Sequence, residues 1–324
     1  MNSDTYAIPA QLPWSAFASP LERAEDAVAR LDERVRHYPL AEGWAERAHF
    51  ADACAALWLE GDLVHLEDLV LRDAGMDVRM ATEATNRALK VLRARRLVAR
   101  RGGAWALSFS GLDALRGRRT GSDHPVTSPR ERSDLVYDRD WDEEERLAEW
   151  QDVVKETDML PTLVAAAIAF DAWCRLAPLQ HAGWIGSLLV SALLQTRGKT
   201  RHHVASLNVG MRAASYRRAH FQDLGTRIAG FLDGVAAAAD RGQKDLDRLT
   251  LAREILGVQL KGRRSTSRLP ALVDLLLSKP LVSVPLAAKE LKVSPQAVEG
   301  MIGELGATPR ELTGRGRYRA WGIV

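Results

Sequence analysis

The sequence of 324 residues contains only two cysteines, Cys54 and Cys174, and neither belongs to a CxxC or Cys/His pattern. Their spacing argues against a zinc site and a disulfide framework, and it indicates a reducing compartment. The N-terminus has no apolar leader, and the most apolar segment, residues 160–194, is interrupted by charged residues. We therefore expect a cytoplasmic protein with no metal and no membrane contact.

Motifs for nucleotide or hydrolytic chemistry are also missing. The chain has no P-loop, no GxGxxG after a strand, no HExxH and no GxSxG, and we expect no cofactor. Because residues 197–218 contain no acid, we expect the pair His202 and His203 to be structural or to contact phosphate. Asp171 is expected on the solvent side of a helix. The candidates for acid–base chemistry are His181, His202, His203 and His220.

The composition favours a mainly α, multidomain protein. Ala, Leu, Arg and Glu are abundant, strand-like segments are few, and the length suffices for two or three domains. Three prolines in the first 20 residues predict an extended arm, and the periodicity of residues 21–37 predicts a helix. The predicted segments are an arm with helices (1–59), a small helical or winged-helix-like unit (60–117), a linker (118–146), a helical domain (147–260) and a winged helix-turn-helix domain (261–324).

The net charge of +3 hides an uneven distribution of charged residues. Residues 87–119 contain ten Lys or Arg and one acid, and residues 197–218 contain six Lys or Arg. Residues 130–146 contain eight acids and four Arg. Basic blocks suit the phosphate backbone of nucleic acid. The alternative is that these blocks form solvated helix faces and pair with the acidic block.

Gly102 and Gly103 lie between a basic segment and the alternating residues Trp105 and Leu107. A Gly-Gly pair in this setting is typical of a β-hairpin turn. Residues 60–117 could therefore form a second module that binds nucleic acid. The alternative is a helical subdomain whose arginines face the solvent.

The last 56 residues show the pattern of a winged helix-turn-helix. Ser294 is a suitable N-cap, and Pro295 fits the first helical position, where no N–H is needed. The sequence TGRGRYRAWGIV that ends the chain predicts a basic, glycine-rich β-wing. A small contact residue and inward apolar residues are predicted at Ala288, Leu291, Val293, Val298 and Met301.

The helix predicted to read bases, residues 295–305, contains neither Lys nor Arg, although these residues make the commonest base contact. Gln296 could pair with adenine, and Glu299 could accept a hydrogen bond from cytosine. Basic residues flank the helix instead, so we expect phosphate contacts on both sides and few base contacts. The candidate DNA-binding residues are Lys261, Arg263, Arg264, Arg268, Ser294, Gln296, Glu299, Arg315, Arg317, Tyr318 and Arg319.

Residues 160–260 resemble the helical core of Fic-domain proteins. Pro178 and Leu179 correspond to the Pro-Phe of the His-Pro-Phe motif in that family, and residues 186–189 correspond to the helix that follows. Residues 231–256 resemble the helices that close such domains. The resemblance implies a Fic-like helical domain followed by a winged helix-turn-helix.

The same resemblance implies that this domain is not catalytic. The family's catalytic histidine falls at Ala177, and residues 181–185 contain neither the Asn nor the Arg of the phosphate cradle. A methyl group cannot deprotonate a hydroxyl, and Trp184 fills space that a triphosphate would need. His181 is displaced by four residues from the catalytic position and does not replace the missing base.

Three longer segments resemble a family of uncharacterised bacterial proteins, many of them plasmid-borne in plant-associated bacteria. These proteins join a domain of unknown function to a C-terminal helix-turn-helix domain. The matching segments are residues 66–79, 182–194 and 312–324. The resemblance implies transcriptional regulation without identifying a ligand or a target gene.

Together these features predict a DNA-binding transcriptional regulator that is not an enzyme. Its expected partner is double-stranded DNA, a homodimer is compatible with the arrangement, and a small-molecule effector is unknown. The alternative is a Fic-like AMP-transferase or pseudoenzyme whose helix-turn-helix serves assembly or regulation. A third interpretation is an adaptor whose winged helix contacts only protein.

Overall fold

The structure, a computed structural model, describes residues 6–75, 81–117, 141–214, 216, 222–261, 267–312 and 319–323. Within these ranges it contains fourteen α-helices and three short strands, which confirms the mainly α prediction. None of the helices in the described ranges is long and apolar enough to cross a membrane. The helices are α1 (Trp14–Arg36), α2 (Ala41–Leu59), α3 (Leu66–Asp73), α4 (Glu83–Arg101), α5 (Gly103–Ala106), α6 (Phe109–Leu115), α7 (Glu143–Glu156), α8 (Thr162–Leu176), α9 (Ile185–Thr196), α10 (Leu207–Ala213), α11 (Leu224–Leu260), α12 (Leu269–Ser278), α13 (Val284–Leu291) and α14 (Pro295–Glu304). The strands are β1 (Val282–Ser283), β2 (Arg310–Glu311) and β3 (Ala320–Gly322).

The chain divides into two compact units, and each unit combines two separate stretches of sequence. Unit 1 contains Met1–Asp32 and Leu97–Ala238, and unit 2 contains Glu33–Arg96 and Ala239–Val324. The borders between the units fall inside α1, α4 and α11. The five consecutive segments inferred from the sequence stay a prediction.

Helix α1 begins at Trp14, so the prediction of an extended arm as far as residue 20 is wrong beyond residue 13. Pro20 lies inside the helix, where it removes one N–H from the hydrogen-bond ladder. Burial of Phe17, which is 0% exposed, stabilises the earlier start. Ahead of the helix, the N–H of Tyr6 donates to Glu149 Oε1 over 2.9 Å.

The Gly102–Gly103 pair joins two helices, so the predicted hairpin is wrong. Helix α4 continues to Arg101, and α5 begins at Gly103. Gly102 ends α4 with a φ of 84°, which glycine adopts without strain. A Cβ atom at Gly103 would lie 2.3 Å from the carbonyl oxygen of Ala192, so the contact between α5 and α9 requires glycine. Residues 81–117, all of them described, contain no strand.

The core of unit 1 is built on α8 and α9, which are buried along nearly their whole lengths. Helix α7 packs against α8, where the indole N–H of Trp150 donates to the carbonyl oxygen of Ala169 over 2.8 Å. The rings of Trp150 and Trp173 meet edge to face with centroids 5.3 Å apart. The nearly continuous apolar sequence of α8 and α9 is explained by burial on all sides.

Asp171 lies inside unit 1, so its expected position on the solvent side of the helix is wrong. It is 5% exposed, and its Oδ1 is 2.7 Å from Nε of Arg227. The Tyr6 hydroxyl donates to Asp171 Oδ2 over 2.8 Å. Burial, together with the Asp171 charge, raises the pKa of Tyr6 well above its ordinary value, so the hydroxyl remains a donor. Arg227, the cationic partner of Asp171, is 56 residues away in sequence, so the periodicity of a single helix could not reveal this pair.

The C-terminal part of unit 2 combines α12, α13 and α14 with a small antiparallel sheet in the order β1-β3-β2. Trp321 in the central strand is opposite Val282 on one side and Glu311 on the other. Trp321 is 5% exposed, so the wing strands are anchored to the helices by a buried side chain. The predicted winged helix-turn-helix is confirmed in element order and in the position of both turn helices.

Candidate nucleic-acid interface

Local sequence signals build the turn between α13 and α14. Lys292 ends α13 in the left-handed region, with φ 55° and ψ 49°. The side-chain oxygen of Ser294 accepts a hydrogen bond from the N–H of Ala297 over 3.2 Å, and Pro295 is the first residue of α14. The predicted cap and first helical position are therefore confirmed.

The inward face of the motif differs from the prediction by one residue in each helix. Leu291 and Val298 are buried as predicted. Ala287 and Ile302 are buried where Ala288 and Met301 were predicted. Positions three and four residues from Leu291 or Val298 share their helix face, so spacing alone does not distinguish these alternatives. The predicted residues that are only half-buried are Ala288, Val293 and Met301.

The outward face of α14 is exposed and contains small residues. Gln296 and Glu299 are both exposed on it. Cβ atoms built at Gly300 and Gly303 would meet nothing within 4 Å. Small outward residues allow the backbone of a helix to approach another surface closely. The contacts available to this face are therefore those of an amide, a carboxylate and the backbone.

The wing residue Arg319 is oriented by two neighbours. Its Nε and Nη2 donate to Glu311 Oε2 over 3.0 and 2.7 Å, and its guanidinium lies 5.0 Å from the centroid of the Trp321 ring. The hydrogen bond to Glu311 raises the pKa of Arg319, and the charge of Glu299 acts in the same direction. The same hydrogen bond lowers the pKa of Glu311. Glu311 thus holds Arg319 in place and offsets part of its charge.

The structure places some of the predicted basic residues but not others. Lys261 directly follows α11, Arg268 directly precedes α12, and both are exposed. The predicted residues outside the described ranges are Arg263, Arg264, Arg315, Arg317 and Tyr318. Sequence reasoning missed Lys289, Lys292 and Arg310, which are exposed within the motif itself. A count of all Lys and Arg in the motif, rather than in its flanks, would have found them.

The winged helix-turn-helix is held in unit 2 by contacts between α12 and α2. A Cβ atom at Gly43 of α2 would lie 2.8 Å from Cα of Ser278, so the two backbones approach closely. Arg47 donates to the carbonyl oxygens of Leu276 and Leu277 and so caps the C-terminal end of α12. Burial lowers the pKa of Arg47 to about 10, which leaves the side chain charged at neutral pH. Because α12 makes this contact, the outward face of α14 stays exposed.

Three arginines of the basic block on α4 are directed into the protein. Arg95 is 1% exposed and pairs with Asp52 over 2.6 Å. Most of the carboxylates that pair with arginines of this block belong to α2, α3 and the loop between them. These ion pairs favour the interpretation of intramolecular pairing over that of a second nucleic-acid module. The other pairs are Arg87 with Glu60 and Asp62, Arg96 with Glu46 and Asp73, and Arg116 with Glu143 and Glu144. The exposed members of the block are Lys90, Arg93, Arg100 and Arg101.

The loop between α8 and α9 contains the segment that resembles the Fic motif in sequence. Ala177 ends α8 with φ 43° and ψ 60°. The indole N–H of Trp173 donates to the carbonyl oxygen of Gly183 over 3.0 Å, and a Cβ atom at Gly186 would lie 2.2 Å from the Trp173 ring. Trp184 is 8% exposed. Two tryptophans therefore fill the loop, and alanine stands where the resemblance would place a general base.

Among the candidate histidines, His203 has a structural role. Its Nδ1 is 2.9 Å from Asp32 Oδ1, and the N–H groups of Arg201 and His202 also donate to Asp32. Burial raises the pKa of Asp32, but these hydrogen bonds outweigh it and hold that pKa below its ordinary value. The acid belongs to α1, so a search near residues 197–218 could not find it. His202 is exposed, His181 is half-buried, and His220 is outside the described ranges.

A metal site receives no support from the described ranges, in which no group of three or more His, Cys, Asp or Glu could hold an ion. The exposed side chains around α14 in unit 2 carry basic, amide and carboxylate groups. These groups suit contact with a polyanion and its polar edges.

Comparisons with known proteins identify two matched segments and one relative of the whole chain. Residues 135–261 match a family described as "Protein of unknown function (DUF1612)", and residues 269–324 match "HTH DNA binding domain". "Uncharacterized protein y4cF" of Sinorhizobium fredii (strain NBRC 101917 / NGR234) is 37% identical over 377 aligned positions, which cover 97% of this chain and 99% of the relative.

The fold is also similar to that of a solved structure, a Fic family protein from Desulfovibrio desulfuricans G20. The TM-score is 0.53 and the identity 13%, over 99% of this chain and 98% of the other. At this identity the likeness shows the fold alone, and it confirms the predicted Fic-like helical architecture. The chain therefore belongs to the same family as the Sinorhizobium fredii protein and has a C-terminal helix-turn-helix DNA-binding domain.

Proposed function

We propose that the protein is a transcriptional regulator that binds double-stranded DNA through its winged helix-turn-helix. The supporting observation is the match of residues 269–324 to a DNA-binding domain whose second turn helix, α14, has an exposed outward face. A helix presented in this way can enter the major groove. Docking through α12 keeps α14 accessible while it fixes the motif to the rest of unit 2.

In this proposal, phosphate contacts supply most of the affinity and base contacts are few. Lys261, Arg268 and Arg319 are exposed basic residues around the motif. Arg319 uses two of its five N–H groups on Glu311, and the others can donate to phosphate. Gln296 can contact adenine, and Glu299 can accept from cytosine.

The remaining predicted phosphate contacts are Arg263 and Arg264 before the domain and Arg315 and Arg317 in the wing. Tyr318 is proposed to contact the backbone of the minor groove beside them. Ser294 acts on the same surface through the cap that orients α14. Basic groups on both flanks would fix the register of the protein on the duplex without selecting its sequence.

The salt dependence of DNA binding tests this arrangement. We replace Arg315, Arg317 and Arg319 with Gln and measure the affinity for a random-sequence duplex by fluorescence anisotropy. Each lost phosphate contact should reduce the slope of log K against log salt by about 0.9. Between 50 and 200 mM salt, each contact therefore accounts for roughly a 3.5-fold change in affinity.

The matched control replaces Lys90, Arg93 and Arg100, which are exposed on α4, with Gln. It changes the net charge equally but lies outside the winged helix. The control should leave the slope unchanged. An equal loss of slope in both variants, or no loss in the wing variant, would contradict the proposed interface. Capture of genomic fragments by the intact protein would then identify the operator.

We also propose that the Fic-like domain acts without AMP transfer. An AMP-transferase needs a general base beside the attacking hydroxyl, and Ala177 offers none. The buried Trp184 and the bond from Trp173 to Gly183 support a loop that holds no triphosphate. Incubation of the full chain with ATP labelled at the α-phosphate and cell extract should label no protein beyond those labelled in extract alone. Labelling of the chain or of a partner that requires the added chain would refute this proposal.

A further inference from the structure

The C-terminal part of α11 has two separate apolar faces. Its inner face is buried, with Leu249 at 2% and Leu256 at 0% exposure. On the other face, Leu251 is 58%, Ile255 43% and Val258 61% exposed. Residues spaced by four and then three positions line up along one side of a helix. We call this exposed row the α11 stripe.

The α11 stripe is not an ordinary scatter of surface hydrophobic residues. Three of the eight large hydrophobic side chains that are exposed in the described ranges lie in it. Single exposed hydrophobic residues are normal on soluble proteins, whereas an aligned row marks a contact surface. The spacing of Leu251, Ile255 and Val258 is also that of successive d, a and d positions in a heptad, the seam along which two helices pack.

We propose that the α11 stripe pairs, antiparallel, with the same stripe of a second copy of the chain. In this register Leu251 packs against Ile255 of the second copy, and Ile255 packs against Leu251 of the second copy. The aliphatic stem of Arg248, which is partly exposed, covers Val258 of the second copy.

Charge complementarity supports a second copy as the occupant. Asp247 and Lys261 each lie seven residues from Glu254, on opposite sides of it. Pairing Leu251 with Ile255 of the second copy puts the twofold axis level with residue 253, beside Glu254. Asp247 then lies about 3 Å along the helix axis from the level of Lys261 of the second copy, and this pair occurs twice. Asp247 Oδ1 is 2.6 Å from Nη2 of Arg34, but the Asp247 side chain remains 66% exposed and can also reach the exposed Lys261 of the second copy.

The same axis brings Glu254 close to Glu254 of the second copy, and their repulsion weakens the pair. Three aliphatic positions per copy also cover less than the roughly 1,200 Å² that stable interfaces bury. The pairing is therefore weak and concentration-dependent in the free protein. It does not depend on the proposed binding of DNA, so it is tested without DNA.

Sedimentation velocity over a wide range of protein concentration measures the pairing. The native chain should show a reversible monomer–dimer equilibrium. Replacing Leu251 and Ile255 with Gln should give a monomer throughout, with unchanged thermal unfolding because both side chains are exposed. Glu254→Gln should tighten the dimer by roughly two- to fivefold, the range typical of one surface charge pair. A purely structural role of the stripe does not predict this gain.

Disulfide formation tests the register directly. Glu254→Cys lies beside the proposed axis, next to the α11 stripe, and should form a covalent dimer under mild oxidation. Arg253→Cys is the matched control, because Arg253 is also exposed and level with the axis but lies on the side of α11 opposite the stripe. The native chain controls for Cys54 and Cys174. A native chain that is monomeric at every concentration, a Glu254→Gln variant with no tighter dimer, or equal cross-linking at 253 and 254 would overturn the proposal.

Discussion

Replacing Asp52 with Asn is expected to destabilise the protein by about 3–5 kcal/mol, the effect of breaking a buried ion pair from one side. The Asp52 and Arg95 side chains are 1% and 2% exposed, and Nη1 and Oδ2 are 2.6 Å apart. Burial lowers the pKa of Arg95, and the Asp52 charge opposes this effect. Asparagine nearly preserves the shape of Asp52 but removes the negative charge that offsets the buried guanidinium. A domain stability of about 5–15 kcal/mol makes this a large fraction of the total.

Urea unfolding followed by tryptophan fluorescence measures the loss. A double variant, Asp52→Leu with Arg95→Met, should recover most of the stability because it leaves no buried charge. The affinity of Arg95→Met for DNA should keep its native salt slope, since Arg95 is inaccessible to phosphate. A loss below about 1 kcal/mol in Asp52→Asn would refute the reasoning about this pair, because a buried pair would then behave like an exposed one. A reduced salt slope in Arg95→Met would restore the hypothesis of a second nucleic-acid module.

Three further predictions concern unit 2. Gly43→Ala should destabilise the protein by about 1–3 kcal/mol in urea unfolding, because its Cβ would meet the Ser278 backbone at 2.8 Å, whereas Gly300→Ala, with open space around it, should not. Lys292→Gly should raise the unfolding free energy by about 1 kcal/mol, because glycine tolerates the left-handed φ of 55°, and an unchanged or lower stability would contradict the strain argument. Burial, with the charges of Arg95 and Arg96, holds the pKa of His49 well below its ordinary value of 6.5. The unfolded chain therefore binds a proton that the folded chain does not, stability falls as the pH decreases below 6.5, and His49→Gln should flatten that fall in unfolding curves taken at several pH values.

The C-terminal motif could be predicted in detail because its signals are local. Ser294 and Pro295 define the start of α14 by the chemistry of a helix end, which depends on three or four consecutive residues. The inward face was predicted less well. Ala287 and Ala288 lie four and three residues before Leu291, so both share a helix face with it, and only packing against the rest of the motif selects Ala287.

Three features that the sequence did not reveal depend on partners distant in sequence. The Gly102–Gly103 pair has the composition of a hairpin, but its second glycine serves a close contact with Ala192. Asp171 was assigned to the surface because its acceptor role for Tyr6 and Arg227 is invisible without the folded chain. His203 lacked a nearby acid in the sequence, and Asp32 supplies it from a helix about 170 residues earlier.

The sequence by itself determined the mainly helical class and the winged helix-turn-helix, because composition and helix caps are properties of the chain. Only the tertiary structure decided which charges remain available for DNA. A count of Lys and Arg cannot distinguish Arg95, which pairs with a buried carboxylate, from Lys292, which is exposed beside α14. The physical reason is that a charge removed from water must be paired with an opposite charge close to it in space. Which basic residues remain exposed and available for DNA therefore depends on packing and cannot be read from composition.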